Sequence, residues 1–147
     1  MDSTASWVVE AIDTLSLAGQ VRRIDGSERL RILGQVTDAF LAQPTFFGSN
    51  LKVPSRQWHT EHGYTYLLQL APDPQCVCWL ITGLTDANDD MGLFECTPAT
   101  ASALIGECPG FEYAVVDPAL KWMVIETHHD VLIAAGDAIA RLSRLSG

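Results

Sequence analysis

Basic residues are scarce in this chain of 147 residues, which has nine lysines and arginines against 18 aspartates and glutamates. The formal net charge of −9 lacks the basic footprint of nucleic-acid-binding proteins and opposes docking on anionic membranes. No window approaches the roughly 18 uncharged apolar residues of a transmembrane helix. Hydrophobic residues still make up 48% of the chain, which is typical of a globular domain. We therefore expect one folded domain over residues 1–147.

The shortage of bases is local. Residues 57–130 hold eleven acidic residues and one base, Lys121, whereas residues 1–56 hold six of each sign. Such an excess keeps small proteins apart in solution, and it also suits a surface that attracts a basic partner. Both explanations remain open at this point.

The densest acidic stretch is Asp86-Ala87-Asn88-Asp89-Asp90. It lacks the ligand spacing and the distal glutamate of an EF-hand calcium loop. We therefore interpret Asp86, Asp89 and Asp90 as an exposed acidic loop that could contact a basic partner.

Signals for export and for zinc binding are missing as well. The first residues contain no basic segment, and Glu10 and Asp13 interrupt the apolar stretch, so we expect a cytoplasmic location. The cysteines lack C-x-x-C spacing, and free, buried thiols are expected rather than a metal site. The four cysteines are Cys76, Cys78, Cys96 and Cys108.

Hydrophobic spacing predicts the element order ααβββαββα, which indicates an α+β fold with a mainly antiparallel sheet of about five strands and flanking helices. A further short strand is possible near Gln57–Glu61. The predicted helices are Thr4–Leu17, a helix from the N-cap Ser27 to before Pro44, one from the N-cap Thr97 to Gly106, and one from Asp130 to about Leu145. The predicted strands are Tyr64–Ala71 with its hairpin partner Cys76–Thr82, then Met91–Cys96, Phe111–Asp117 and Lys121–Thr127.

Polar side chains crowd the predicted strand-to-helix turn at Glu126, His128, His129 and Asp130. Histidines and carboxylates together could form a metal or acid–base site. Adjacent residues are expected to point apart, however, so the two histidines should not share one ion. The alternatives are a structural turn with Asp130 as helix N-cap, or a contact with a partner.

A second cluster surrounds Trp58. His59 and His62 would share one face of a helix, but this stretch is not predicted to be helical. An exposed Trp58 would be a good anchor for a partner. The sequence alone does not decide whether this cluster meets the one at residues 126–130.

Signatures of enzymes are missing. There is no G-x-S-x-G motif and no phosphate-binding glycine loop. Cys96 or Cys108 with His128 and Asp130 is formally available as a nucleophilic set, but no local signature supports it. A small metal- or thiol-dependent enzyme therefore stays an alternative.

Residues 111–131 read FEYAVVDPALKWMVIETHHDV. They resemble an uncharacterised family of small bacterial domains with the core F-E-Y…V-D…L-x-W…E-x-H-H-D-V, and the likeness covers about residues 111–140. It implies no activity and no catalytic residue. Proteins of this size and composition resemble the immunity proteins that protect bacteria from contact-delivered toxins. The run from the second predicted helix onward, αβββαββα, is also similar to the element order of acidic chaperones of type III secretion effectors, without a shared motif.

The sequence thus predicts a non-enzymatic, cytoplasmic protein-binding domain, and most simply an immunity protein that neutralises a basic toxin through an acidic face. A secretion chaperone, which would form a homodimer, and a small enzyme are the alternatives. No metal or cofactor is expected, and the choice between monomer and homodimer is open. The predicted partner-binding residues are Trp58, Asp86, Asp89, Asp90, Glu126, His128, His129 and Asp130.

Overall fold

The computed structural model describes residues 4–42, 51–84 and 91–146. Within these ranges the chain forms five α-helices and seven strands. The helices are α1 (Thr4–Thr14), α2 (Gly26–Phe40), α3 (Leu67–Leu70), α4 (Pro98–Glu107) and α5 (Ala138–Ser146). The strands are β1 (Arg22–Arg23), β2 (Ser55–His59), β3 (Cys78–Thr82), β4 (Gly92–Cys96), β5 (Tyr113–Val116), β6 (Trp122–Glu126) and β7 (Val131–Gly136). Two short 3₁₀ turns cover Ala18–Gln20 and Gly63–Tyr66.

The strands form one antiparallel sheet in the order β1-β4-β3-β5-β6-β7-β2. Every residue of β3, β5 and β6 is buried, which explains why these strands are apolar on both faces. Side chains of α1, α3, α4 and α5 pack on one face of the sheet, and side chains of α2 pack on the other. The sheet is therefore the middle of three layers.

The α+β class and the antiparallel sheet are confirmed, but the predicted number and order of strands are wrong. The largest error concerns Val131–Gly136, which was predicted to begin the last helix and is instead β7. This strand pairs with β6 on one side and with β2 on the other. Because Val131–Ala135 are all buried, the strand is a continuous apolar run, and such a run does not distinguish a strand from a buried helix.

The predicted strand Tyr64–Ala71 is also wrong, and with it the predicted hairpin to Cys76–Thr82. This segment is the Gly63–Tyr66 turn followed by α3, in which Leu67 and Leu70 are buried three residues apart. Alternating apolar residues suggested a strand, but Leu68 in that alternation is exposed. The possible short strand near Gln57–Glu61 corresponds in part to β2, which lies at the edge of the sheet beside β7.

The predicted N-cap of α4 is confirmed, whereas the predicted N-cap of α2 is wrong. Thr97 is the N-cap of α4, where its hydroxyl accepts a hydrogen bond from the Thr100 N–H at 3.2 Å. The cap of α2, however, is Asp25 rather than Ser27. Among the described helices, none combines the length and apolar character that crossing a membrane requires.

Candidate functional site

The turn between β6 and β7 is a tight hairpin rather than the start of a helix. The Thr127 N–H donates to the Val131 carbonyl at 3.0 Å, and the Asp130 N–H donates to the Thr127 carbonyl at 3.2 Å. Asp130 has a φ of 58°, in the left-handed region that aspartate tolerates better than most residues. The prediction that Asp130 caps a helix is therefore wrong. His128, His129 and Asp130 are exposed at the tip of this hairpin.

The two histidines of the turn lie side by side. Their ring centroids are 3.8 Å apart, so the expectation that adjacent side chains would point apart is wrong here. The His128 ring contacts the Glu112 carboxylate through Nδ1, and the His128 N–H donates to the same oxygen at 3.3 Å. Glu112 therefore holds the ring of His128 in place.

Glu112 was missed at the sequence level. Tyr113 lies directly opposite Glu126 in the β5–β6 ladder, so Glu112 is placed beside the residues that follow Glu126. The signal was the hairpin register of these two strands, which the pattern of apolar residues alone does not specify.

Glu126 is the buried acidic residue of the site, with 8% of its surface exposed. Its Oε2 accepts a hydrogen bond from the Gly63 N–H at 3.0 Å, at the beginning of the helical segment that runs through α3. Unpaired backbone N–H groups at such an end favour an acidic side chain. Burial raises the pKa of Glu126, while the nearby Tyr113 hydroxyl and the Gly63 N–H act in the opposite direction.

A row of buried polar side chains leads away from Glu126 across the sheet. Tyr113 on β5 lies opposite Glu126 and also opposite Thr82 on β3. Both hydroxyls are buried; that of Tyr113 interacts with the Glu126 carboxylate, and that of Thr82 has no hydrogen-bond partner among the described residues. Burial raises the pKa of Tyr113, and the charge of Glu126 raises it further. Buried polar groups normally have a hydrogen-bond partner, and the Thr82 hydroxyl is an exception among the described residues.

Glu126 opens into a pocket of about 470 Å³, which we call the hairpin pocket. It lies between the β6–β7 turn, the C-terminal end of α4 and residues 62–64. Tyr64, Ile105 and Phe111 form its apolar and aromatic walls, and its polar groups include those of Glu126 and Asp130.

The hairpin pocket brings the two histidine clusters together, which the sequence could not decide. His62 and His128 both line it, and the Thr60 N–H donates to the Asp130 carbonyl at 2.9 Å. His59 does not line the pocket. It lies in β2, opposite Val131. The pairing of β2 with β7 is therefore the cause of this meeting.

The electrostatics of the hairpin pocket favour a cation. Ile105 and Gly106 belong to the last turn of α4, which contains no basic residue, and the C-terminal end of a helix carries partial negative charge. Among the described residues that line the pocket there is no lysine or arginine. Such a site attracts positive groups and disfavours the oxyanions that form in acyl transfer.

Cys108 also lines the pocket, but its thiol is not activated. Burial raises its pKa to about 11, and the acidic side chains of Glu107 and Glu10 contribute to the rise. A reactive thiolate needs the opposite setting, with basic neighbours or a helix N-terminus. The thiol of Cys108 is therefore protonated at neutral pH.

The other predicted site residues are distributed as follows. Trp58 is half-buried in β2 and packs against Tyr66 with ring centroids 5.0 Å apart, so it is not the exposed anchor that was predicted. Asp86, Asp89 and Asp90 lie outside the described residues. Cys96 is buried opposite Cys78 on neighbouring strands, and both thiols are free.

Within the described ranges, no group of three or more histidine, cysteine, aspartate or glutamate side chains is arranged to hold a metal ion. A scan against protein-family models and searches of curated proteins and of solved structures found no match for the chain. The family likeness of residues 111–140 therefore stays a prediction.

Proposed function

We propose that this protein is a binding domain for a basic protein partner, and that it acts as an immunity protein that neutralises a cognate toxin. The observation that carries the proposal is the hairpin pocket, where buried and exposed carboxylates meet the negative end of α4 with no lysine or arginine among the described lining residues. The excess of eleven acids over one base in residues 57–130 supports it as well. Complementary charge of this kind speeds association and selects basic surfaces.

The chemical class of the toxin follows from its required charge. Basic clefts are typical of proteins that bind nucleic acids, because they must neutralise phosphates. An acidic domain that covers such a cleft would exclude the nucleic acid. We therefore propose a toxin that acts on nucleic acid as the partner.

The alternatives have weaker support. The likeness to secretion chaperones depended on the run αβββαββα from the second predicted helix onward, and the observed order of elements differs. A thiol-dependent enzyme would need an activated cysteine, whereas the pKa of Cys108 is raised to about 11 by burial.

The test starts from the product of the neighbouring gene. If it contains a toxin domain, co-expression of the present chain should protect growth, and the two purified proteins should form a complex. Association should slow as salt is added, because screening weakens electrostatic steering. A neighbouring toxin that the chain neither binds nor neutralises would refute the proposal.

The acidic stretch at residues 86–90 allows a sharper comparison. Reversing Asp86, Asp89 and Asp90 to lysine should slow association roughly tenfold or more with a smaller effect on dissociation, as measured by stopped-flow fluorescence. The matched control reverses three acids elsewhere, two of them on α1 and α2 and one after β7, and changes the net charge equally. These exposed control residues are Asp13, Asp38 and Asp137. Equal slowing in both variants would mean that only total charge matters.

A further inference from the structure

We propose that the hairpin pocket is a subsite for one lysine side chain of the basic partner. This inference rests on the proposed function and specifies how the partner is recognised. The ammonium group of this lysine would lie near the carboxylates of Glu126 and Asp130, and the methylene stem of the lysine would lie along the walls formed by Tyr64 and Phe111. The shape of the pocket, its charge and the contacts that Glu126 already makes support this assignment.

The first observation is the combination of apolar walls with carboxylates. Tyr64, Ile105 and Phe111 line the pocket, and a lysine stem packs favourably on such surfaces. Aromatic faces also attract a cation directly. An anionic or purely apolar ligand would leave Glu126 without compensation for its burial.

The second observation is the Tyr113 hydroxyl. It is fully buried, belongs to the residue directly opposite Glu126 on the neighbouring strand, and interacts with the Glu126 carboxylate. Burial raises the pKa of Tyr113, and the charge of Glu126 raises it further, so the hydroxyl keeps its proton. An O–H that donates to the carboxylate favours its charged form, which is the form that an ammonium group binds.

The occupied oxygen of Glu126 favours lysine over arginine. Its Oε2 already accepts the Gly63 N–H at 3.0 Å, so a ligand that needs both oxygens would have to share Oε2 with this backbone donor. Arginine gains most where both oxygens of a carboxylate accept its two parallel N–H groups. The compact ammonium of lysine needs only one oxygen and turns its three donors freely.

The experiment is a titration of the full-length protein, followed by NMR, with three amino-acid probes that carry blocked ends. The probes are Nα-acetyl-lysine methylamide, the arginine analogue and the uncharged norleucine analogue. The lysine probe should shift resonances of the hairpin pocket and bind roughly tenfold more tightly than norleucine, because the charged hydrogen bond is lost in norleucine. Norleucine binding as tightly as lysine, arginine binding as tightly or more tightly, or shifts located elsewhere would each overturn the proposal.

Two variants locate the ammonium group. Glu126→Gln should weaken binding of the lysine probe roughly tenfold, and Asp130→Asn, at the exposed rim, roughly two- to fivefold. Asparagine tolerates the left-handed conformation of Asp130, so the second variant should keep the turn and decides the question if Glu126→Gln does not fold. Asp137→Asn, at the opposite end of β7, is the matched control and should bind like the wild type. Unchanged binding in Asp130→Asn would refute the subsite.

The probe titration needs no partner, so the two proposals can fail separately. Loss of the lysine subsite would leave the acidic surface as the basis of partner binding. Conversely, a neighbouring toxin that is not bound would refute the immunity function, even if the lysine probe occupies the pocket.

Discussion

Glu126 is a buried acidic residue that contacts several parts of the candidate site. It contacts the Gly63 N–H from one side and lies opposite Tyr113, and it opens into the hairpin pocket. Burial raises its pKa, so the fold favours the protonated form more than the unfolded chain does. A bound cation would reverse this preference, which connects the stability of the protein to occupancy of the pocket.

The raised pKa of Glu126 predicts a pH-dependent difference from Glu126→Gln. A carboxyl whose pKa is raised on folding stabilises the fold most below its ordinary pKa, and this contribution is lost as the pH rises through the raised value. Glutamine does not ionise, so it does not share this loss. The free energy of unfolding of the wild type, minus that of the variant, should therefore fall as the pH rises above the ordinary pKa of a glutamate.

Urea unfolding at several pH values measures that difference, and Asp137→Asn is the control. Asp130, whose charge also raises the pKa of Glu126, is unchanged in both proteins. A constant difference would show that folding does not change the pKa of Glu126, and a difference that grows with pH would show that the fold favours the carboxylate; either result contradicts the prediction.

At the scale of the elements, the 3₁₀ turn that begins at Gly63 is what brings Glu126 and His62 to one pocket. Gly63 is buried against β6 and β7, where a Cβ atom would lie 2.7 Å from the Leu132 side chain and 3.0 Å from Glu126 Oε2. His62 precedes it with a φ of 55°, so the chain makes a sharp turn there. The close approach leaves no room for a larger residue.

Gly63→Ala is therefore expected to destabilise the protein by about 1–3 kcal/mol, because the added methyl group overpacks the contact with Leu132. Gly34→Ala is the matched control: Gly34 lies inside α2, and a Cβ atom there meets nothing within 4 Å. That change should stabilise the protein by roughly 0.5–1 kcal/mol, since alanine favours a helix over glycine. Chemical denaturation measures both, and equal effects of the two changes would contradict this account of the turn.

At the scale of the whole molecule, the net charge of −9 acts against compactness. The structure has few ion pairs to offset it among the described residues, and Arg22 makes the clearest, at 3.2 Å from both Glu28 and Glu95. Exposed pairs of this kind contribute little. Repulsion among the acids of residues 57–130 should therefore dominate the response to salt.

We expect sodium chloride to stabilise the protein at pH 7 by on the order of 1 kcal/mol between low and moderate ionic strength, because screening weakens the repulsion. Thermal unfolding in a salt series measures this effect, and potassium chloride should give the same result if screening is the cause. A melting temperature that falls as salt is added would show that ion pairs such as that of Arg22 with Glu95 outweigh the repulsion.

The sequence by itself determined those features that depend on neighbouring residues. Thr97 and Pro98 specify the start of α4 through a local cap, and the apolar run at Cys78–Thr82 specifies a buried strand. The concentration of negative charge in residues 57–130 is likewise independent of the fold. The cap and the apolar run depend on residues that are close in sequence, and the charge depends on composition alone. All three can therefore be predicted without knowing the tertiary contacts.

Only the tertiary structure decided what the candidate site is. Val131–Gly136 is a strand because β6 and β2 supply hydrogen bonds on both sides, although its apolar run also suits a helix. That pairing brings His62 beside His128, and the β5–β6 register brings Glu112 to His128. Register and strand order depend on contacts between distant residues, which is why the sequence indicated acidic and histidine side chains but not the pocket that they form.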